Sequence, residues 1–538
     1  LGTPTIVGEA LKPIWDLTSA MFPRTHGGKI ASAFGSYGWS GEGVPHIIER
    51  LKQLRMKIYG EGLKIKFKPD QAQLQEAYEF GYNFGKSVLA GKIIEPTKPS
   101  GDKRRWKCVV CGEVVEGPNP PSACPVCGVG PEQFVELSAS DITFTSQKEE
   151  RFIIIGNGAA GTSACQEIRK RNPVADIELI SSEHVAGYNR PMLTKGILSK
   201  VEGLTFNIKP ENWYKENNIK VTLNTTVTGI DAEKKTLTLS NGESRNYDKL
   251  VLAIGAESNV PAMEGVDLEG VFSIRSLKDI DRIKAYLPKA EKVAVIGGGV
   301  LGLEAAWEIR KAGKEVTLIQ NSKHLMNKQL DARGSEILRG IVEKAGITVN
   351  GGTGCARITG SGEKAANVEL KDGTVIEAQM VLFSSGIKAN TEIAKSCGVE
   401  ADRFILVNER METNKKGIFA CGDCAVYEGK SYGLWNQAID MGKVAGANAA
   451  GDEVTYETIV PATAFSGMGT SLFSVGDSGK DPEKKYKSFE IYDEAKNSYE
   501  KLYFVNNRFV GGILIGDVSK SARLLDAFKK QEPMEKLL

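Results

Sequence analysis

The chain has 538 residues, of which 41% are hydrophobic and 25% charged, and a formal net charge of +2. That length predicts several domains of roughly 100–200 residues each, the composition is that of a globular protein, and the charge balance offers no footprint for nucleic acid or an anionic membrane surface. Apolar runs such as Phe152–Ile155 and Val293–Ile296 fall far short of the about 20 residues a bilayer requires. No signal sequence opens the chain, so a cytoplasmic location is expected.

In chain order, residues 1–95 alternate turns with helical patterns and end in an amphipathic stretch, Gln71–Leu89, with Leu74, Tyr78, Tyr82 and Val88 near helical spacing. Residues 96–104 have the Pro, Gly, Ser and charge content of a linker. Four of the nine cysteines then cluster at Cys108, Cys111, Cys124 and Cys127. In a reducing compartment such CxxC pairs read as metal ligands rather than disulfides. Two knuckles can present four thiolates in a tetrahedron suited to zinc or iron. The glycine after each pair fits a turn whose N–H groups point at sulfur. Spacing alone favours structural zinc. After a polar stretch, 139–150, the pattern becomes strand, glycine loop and helix, twice over.

Phe152–Ile155 leads into Gly156-Asn-Gly158-Ala-Ala-Gly161, and Lys292–Ile296 into Gly297-Gly-Gly299-Val-Leu-Gly302. A helical run and a second short strand follow each, Asp176–Ile180 and Glu315–Ile319. A lone GxGxxG is weak, but between a strand and a helix it has a mechanism. The first glycine makes the turn, the second admits the pyrophosphate, and the third lets the helix pack so that its N-terminus faces the anion. Two such units predict two bound dinucleotides. An acid usually ends the second strand of each unit. Here Ser181 and Gln320 stand there, with Glu183 close to the former and Lys323 and His324 close to the latter.

Thr413–Ala425, with its Gly422-Asp423, resembles the FAD-closing motif of the two-dinucleotide flavoprotein reductases. Leu252-Ala-Ile-Gly-Ala256 resembles that family's crossover between FAD and NAD domains, and Tyr188-Asn-Arg-Pro-Met-Leu-Thr-Lys195 its segment along the isoalloxazine. Gly302-Leu-Glu304 matches its glutamate near the nicotinamide. Over about residues 150–460 the resemblance implies FAD held by Gly156, Gly158, Gly161, Glu183, Ala256 and Asp423. It implies NAD(P)H held by Gly297, Gly299, Gly302 and Gln320. Glu304, Arg190 and Lys195 become the catalytic candidates, the two cations favouring an anionic reduced flavin. Hydride transfer then rests on alignment rather than on a general acid or base. Glutamine at 320 neither binds a ribose 2′-OH as an acid does nor repels a 2′-phosphate, so NADH is favoured and NADPH stays open.

The flavin has no evident thiol acceptor. Cys165 stands alone in the first helix, and no cysteine lies near Tyr188. Cys421 and Cys424 fit packing at a strand end, and Cys355 and Cys397 fit buried small hydrophobes. The four-cysteine module remains. Trp106, Pro125, Pro131, Phe134 and Val135 make it resemble the short rubredoxin domain that ends rubrerythrins. That resemblance implies one iron accepting single electrons, which a reduced flavin can release one at a time. Residues 103–538 then resemble a rubredoxin joined to an NADH:rubredoxin oxidoreductase.

Gly2-Thr3-Pro-Thr5 and Phe34-Gly-Ser-Tyr37-Gly-Trp39-Ser-Gly41 resemble two of the three FMN loops in the flavodoxin-like half of flavodiiron proteins, and Tyr37 and Trp39 are candidates to stack on FMN. The third loop, which grips the FMN phosphate, and the diiron domain would lie upstream of Leu1. The resemblance thus implies the C-terminal portion of a fused flavodiiron oxygen or nitric oxide reductase, with the flavodiiron core as electron acceptor.

The expected fold is α/β multidomain: two Rossmann-like FAD- and NAD-binding domains, a small α+β C-terminal domain, a small four-cysteine rubredoxin module and a partial flavodoxin-like doubly wound domain. The expected boundaries are 1–95 flavodoxin-like, 96–104 linker, 105–138 rubredoxin-like and 139–150 linker. Beyond these, the FAD-binding domain takes a leading segment, 151–257, and a returning segment, 376–455, on either side of an NAD(P)H-binding domain at 258–375. Residues 456–538 form a C-terminal interface domain. A homo-oligomer is compatible with these readings. The competing ones are an NAD(P)H oxidase with a structural zinc ribbon and a flavoprotein whose zinc ribbon docks a partner.

Overall fold

A computed structural model describes residues 5–6, 9–10, 12–37, 42–66, 71–93, 104–108, 113–117, 119–122, 124, 129–137, 144–198, 206–210 and 212–538. The chain divides into two compact units. One comprises residues 1–106, 114–123 and 135–137, the other 107–113, 124–134 and 138–538.

In the first unit, Phe34–Tyr37 pairs in parallel with Leu63–Lys66, and Ile30–Ala31 with Lys57–Ile58. Parallel pairing is what a doubly wound domain needs, although among the described residues each pair stands as a two-stranded sheet. Helix Gly43–Gln53 buries Val44, Ile47, Ile48 and Leu51, the i, i+3, i+4, i+7 stripe, beside Ala33 and Leu54. Helix Gln71–Leu89 spans the expected residues, but its packing stripe differs. Phe80 and Phe84 meet the buried Tyr59 ring edge-on at 5.6 and 5.8 Å, while Leu74 and Val88 are exposed. Two aromatic side chains one turn apart cover more area than the aliphatic pair, and they decide the docking face.

The second unit is built on two five-stranded parallel sheets. The first runs Ile219–Thr222, Asp176–Ile180, Arg151–Ile155, Lys249–Leu252, Ile418–Ala420. The second runs Val271–Ser273, Met380–Phe383, Lys292–Ile296, Glu315–Gln320, Ile347–Gly351. In both, the strand before the glycine loop is central and the order reverses beside it. That reversal opens a crevice at the carboxyl ends of the strands, where such sheets bind ligands. Phe152, Ile153 and Ile154 are buried without exception, as strands covered on both faces require. Each sheet is accompanied by a three-stranded antiparallel sheet, 227–246 in one case and 355–377 in the other. Ala256–Ser258 and Ile387–Ala389 pair as the crossover between the two domains.

One boundary moves. Met380–Phe383 was expected in the returning FAD segment, but it pairs with Lys292–Ile296 and Val271–Ser273 inside the second sheet. The second domain therefore extends past residue 383 rather than ending at 375. Four consecutive buried apolar residues suit the middle of either sheet, so the apolar run does not reveal its owner.

The C-terminal sheet is antiparallel, in the order Ala462–Gly467, Thr470–Gly476, Arg508–Ile515, Ser498–Val505, Lys487–Asp493. The expected Asn506-Asn507 turn joins its two longest strands, with φ of 49° and 62°, the left-handed pair that matches hairpin twist. Helix Ser521–Lys529 covers this sheet through Leu524 and Leu525. No helix among the described residues is long and apolar enough to cross a membrane.

Candidate functional site

A cavity of about 960 Å³ lies in the second unit, at the carboxyl end of the first sheet. Gly156, Asn157 and Gly158 form a stretch of its wall, with Glu183, Arg190, Lys195, Ala256, Asp423 and Glu304. Its wall continues to Val300 and Leu301, which open the helix of the second glycine loop, and to Ala464 and Phe465 of the C-terminal sheet. Segments far apart in sequence thus converge on one volume. Gly161, Gly297, Gly299, Gly302 and Gln320 lie outside this wall.

The two glycine loops are structurally equivalent. A Cβ on Gly161 would stand 1.8 Å from the Gly156 carbonyl oxygen, and one on Gly302 stands 1.8 Å from that of Gly297. Gly156 and Gly297 have φ of 106° and 121°, and Cβ atoms there would meet Ala253 O at 2.1 Å and Ser384 O at 2.2 Å. The middle glycines differ. A Cβ on Gly158 meets nothing nearer than 4.0 Å, one on Gly299 nothing within 4 Å, and each residue is the N-cap of its helix. This is a cradle with room for a pyrophosphate at each helix N-terminus. The indole nitrogen of Trp435, another wall residue, is buried without a protein partner. The residues present therefore fit two dinucleotides.

Charged groups line the cavity in pairs. Arg275 Nη2 donates to Asp423 Oδ2 at 2.7 Å. Arg190 ion-pairs with Glu183, donates to the Arg275 carbonyl at 2.7 Å and lies 5.0 Å over the Tyr188 ring. Tyr188 donates to Glu183 Oε2 at 2.5 Å, and burial pushes its phenol pKa up. Glu183 is thus engaged by Arg190 and Tyr188, and Arg190 reaches the cavity as a member of that network. Thr194 Oγ1 donates to Glu304 Oε2 at 2.5 Å, joining the Lys195 segment to the second dinucleotide helix. Burial raises the Glu304 pKa, and the Lys195 charge and the Thr194 bond oppose it.

At the second loop, Gln320 Oε1 accepts from the Gly298 N–H at 2.8 Å. Its carbonyl oxygen braces the loop, and the amide NH2 is its donor group. Cys165, Cys421 and Cys424 are fully buried. Burial pushes up the thiols of Cys165 and Cys421, and that of Cys424 to about 11. Thiols so held stay protonated and poorly nucleophilic.

In the cysteine module, the Cys108 N–H donates to Glu113 O and the Cys124 N–H to Val129 O, both at 2.7 Å. Each bond closes a turn over the same five-residue interval, and both side chains are buried. This repeated turn fits a pair of metal-binding knuckles. Cys111 and Cys127 lie outside the described residues. Trp106 Nε1 donates to Gly117 O at 3.0 Å. Of the FMN candidates, Thr3 and Trp39 also lie outside them, as does the side chain of Thr5. Tyr37 ends the strand Phe34–Tyr37.

Arg275, Trp435, Phe465 and Val129 line the cavity without belonging to any motif, and Thr194 lines it from within the Tyr188–Lys195 segment without having been singled out there. Arg275 follows the short strand Val271–Ser273, and only its pairing with Asp423, 148 residues on, reveals it.

Residues 150–442 match the family model for pyridine nucleotide-disulphide oxidoreductases, 461–532 the rubredoxin NAD+ reductase C-terminal domain, and 106–135 the rubrerythrin rubredoxin-like domain. The NADH-rubredoxin oxidoreductase of Clostridium acetobutylicum (strain ATCC 824) is 31% identical over 72% of this chain and 97% of its own length. Its crystal structure superposes with a TM-score of 0.61 at 32% identity, again over 72% and 97% of the two chains. A nitrite reductase [NAD(P)H] of Bacillus subtilis (strain 168) is 34% identical over 71% of this chain, which spans 48% of that protein. The chain thus spans about half the length of the first curated relatives it matches.

Proposed function

The chain belongs to the pyridine nucleotide-disulphide oxidoreductase family, and from that premise we propose that it oxidises NADH and delivers the electrons to an iron held by Cys108, Cys111, Cys124 and Cys127. One observation carries this reading. A single cavity connects the first glycine loop and Asp423 with Glu304 and the start of the second dinucleotide helix, while the nearby thiols are buried and held protonated. The enzyme is FAD-dependent. When bound, FAD would supply hydride acceptance and single-electron release, so that one NADH gives NAD+, a proton and two electrons, which the single iron carries one at a time to a one-electron acceptor.

The residues have distinct tasks. Gly158 and Gly299 leave room for the two pyrophosphates at helix N-termini. Arg275 orients Asp423 for the first nucleotide. Arg190, ion-paired with Glu183 and bonded to Tyr188, is held in a fixed position on the cavity wall, its charge balanced by the Glu183 carboxylate. Thr194 holds Glu304 beside Lys195, where the nicotinamide and flavin must align. Phe465 and Ala464 contribute to the wall from the C-terminal sheet.

The matches to the two rubredoxin-related models support iron over zinc at the cysteines. Anaerobic NADH titration of the as-purified protein tests this: a ferric tetrathiolate band bleaches in step with the flavin, whereas zinc has no such band. Cys108→Ser abolishes the band and leaves flavin reduction by NADH intact. If flavin reduction stops as well, the sequential scheme is wrong.

The finer reading places this chain as the electron-input portion of a fused flavodiiron oxygen or nitric oxide reductase. Residues 1–95 would be its flavodoxin-like FMN region, an assignment supported by their parallel strand pairs and the Thr3, Thr5, Tyr37 and Trp39 loops. An FMN titration followed by fluorescence quenching tests it: saturable uptake supports the assignment, and no uptake removes residues 1–95 as an FMN region.

A further inference from the structure

Residues 107–113 and 124–134, the two knuckles, fall in the same compact unit as the reductase domains. Lys107, immediately before Cys108, places Nζ 3.1 Å from Asp440 Oδ2 and 3.4 Å from Oδ1, and each side chain is only 26% exposed. Gln133, beyond the second knuckle, donates from Nε2 to the Val518 carbonyl at 3.3 Å. Between these two contacts, Val129, whose carbonyl closes the Cys124 turn, contributes to the wall of the 960 Å³ cavity. Asp440 lies on helix Trp435–Ala449, whose opening residues Trp435, Asn436 and Ala438 line that same cavity.

Charge complements this arrangement. Lys443 stands 3.6 Å from Asp440 on the same helix, and Lys209 lies within electrostatic reach of Glu113. A tetrathiolate iron site is anionic, so cations around its rim favour the seated arrangement.

Resting on the proposed electron route, we propose that Asp440 is a positioning residue whose ion pair with Lys107 seats the knuckle face of the cysteine module on the reductase. Val129 then closes the cavity wall next to Cys124, from whose N–H its carbonyl accepts. Electrons consequently pass within one chain, one at a time: the ferric iron becomes ferrous with the first, and a one-electron acceptor reoxidises it before it takes the second, with no bond made or broken. Asp440 touches neither cofactor, and the separation of 333 residues between it and Lys107 makes the pair a tertiary device rather than a local one.

The experiment uses the iron- and FAD-loaded chain and compares Asp440→Lys, Asp440→Asn, Lys107→Glu and the charge-swapped double variant. Two readouts are taken. Hydrogen–deuterium exchange follows the amides of 129–134, and anaerobic stopped-flow follows flavin reduction and iron bleaching separately. We expect Asp440→Lys to speed exchange at 129–134 and slow iron bleaching, each by about fivefold, the scale of one ion pair worth about 1 kcal/mol. Flavin reduction by NADH stays unchanged, and the double swap restores both readouts. In wild type the bleaching rate falls with added salt, whereas in Asp440→Asn it is already low and nearly salt-independent. Unchanged exchange and bleaching in Asp440→Lys, or a bleaching rate proportional to protein concentration, overturns the proposal. If wild type shows no iron bleaching at all, the electron route fails, yet the exchange comparison still decides whether the seat exists.

Discussion

Gly302→Ala tests how the second dinucleotide site is built. The added methyl would stand 1.8 Å from Gly297 O, 3.0 Å from Gly297 C and 3.4 Å from Ser384 Cβ. Ordinary contact begins near 3.4 Å, so the methyl is about 1.6 Å too close to a backbone oxygen that no rotamer can move. The helix Val300–Lys311 must therefore lift from the strand Lys292–Ile296. Overpacking of this kind costs about 1–3 kcal/mol, and a domain of about 150–250 residues loses about 2–4 °C in Tm per kcal/mol. The same movement carries Val300, Leu301 and Glu304 away from the cavity wall, so KM for NADH rises with the loss of stability. Gly299→Ala is the matched control. Its Cβ meets nothing within 4 Å, so Tm holds while the methyl intrudes where a pyrophosphate approaches, and KM alone rises. Thermal unfolding followed by intrinsic fluorescence and stopped-flow flavin reduction across NADH concentrations read the two effects. A Gly302→Ala protein with unchanged Tm and KM would refute the packing account; a Gly299→Ala protein with unchanged KM would refute the pyrophosphate account.

Gln320→Glu keeps the carbonyl-type acceptor for the Gly298 N–H and adds a charge that binds the ribose 2′-OH and repels a 2′-phosphate. The NADH-to-NADPH ratio of kcat/KM should rise about tenfold, the scale of one charge-assisted bond, and an unchanged ratio would remove Gln320 from the ribose site. Glu304→Gln addresses the raised pKa of a buried carboxyl. Because the folded state holds its proton more tightly than the unfolded state, ionising Glu304 costs stability from the ordinary value of 4.5 upward. The amide cannot ionise yet still accepts from Thr194. The Tm advantage of Glu304→Gln over wild type should therefore grow as pH rises above 4.5 and level off once the folded-state carboxyl has titrated. A pH-independent difference in thermal melts would show that burial does not govern this group.

What the sequence determined alone is local. Phe152–Ile155 and Lys292–Ile296 declare buried parallel strands because both of their faces must be apolar, and the glycines after them declare turns that side chains would block. Asn506-Asn507 declares its hairpin because asparagine tolerates left-handed backbone. The cysteine spacing likewise predicts a pair of knuckles, and in the structure Cys108 and Cys124 each donate to a carbonyl five residues on. Only the tertiary structure decided which distant groups meet. Met380–Phe383 joined the second sheet because strand ownership depends on crossover topology, which an apolar run does not encode. Glu183 turned to Arg190, Asp423 found Arg275, and Glu304 found Thr194, 110 residues before it. A carboxylate in a loop reads alike whether it meets solvent, a ribose or a guanidinium, and only the folded backbone sets which one is within hydrogen-bond reach.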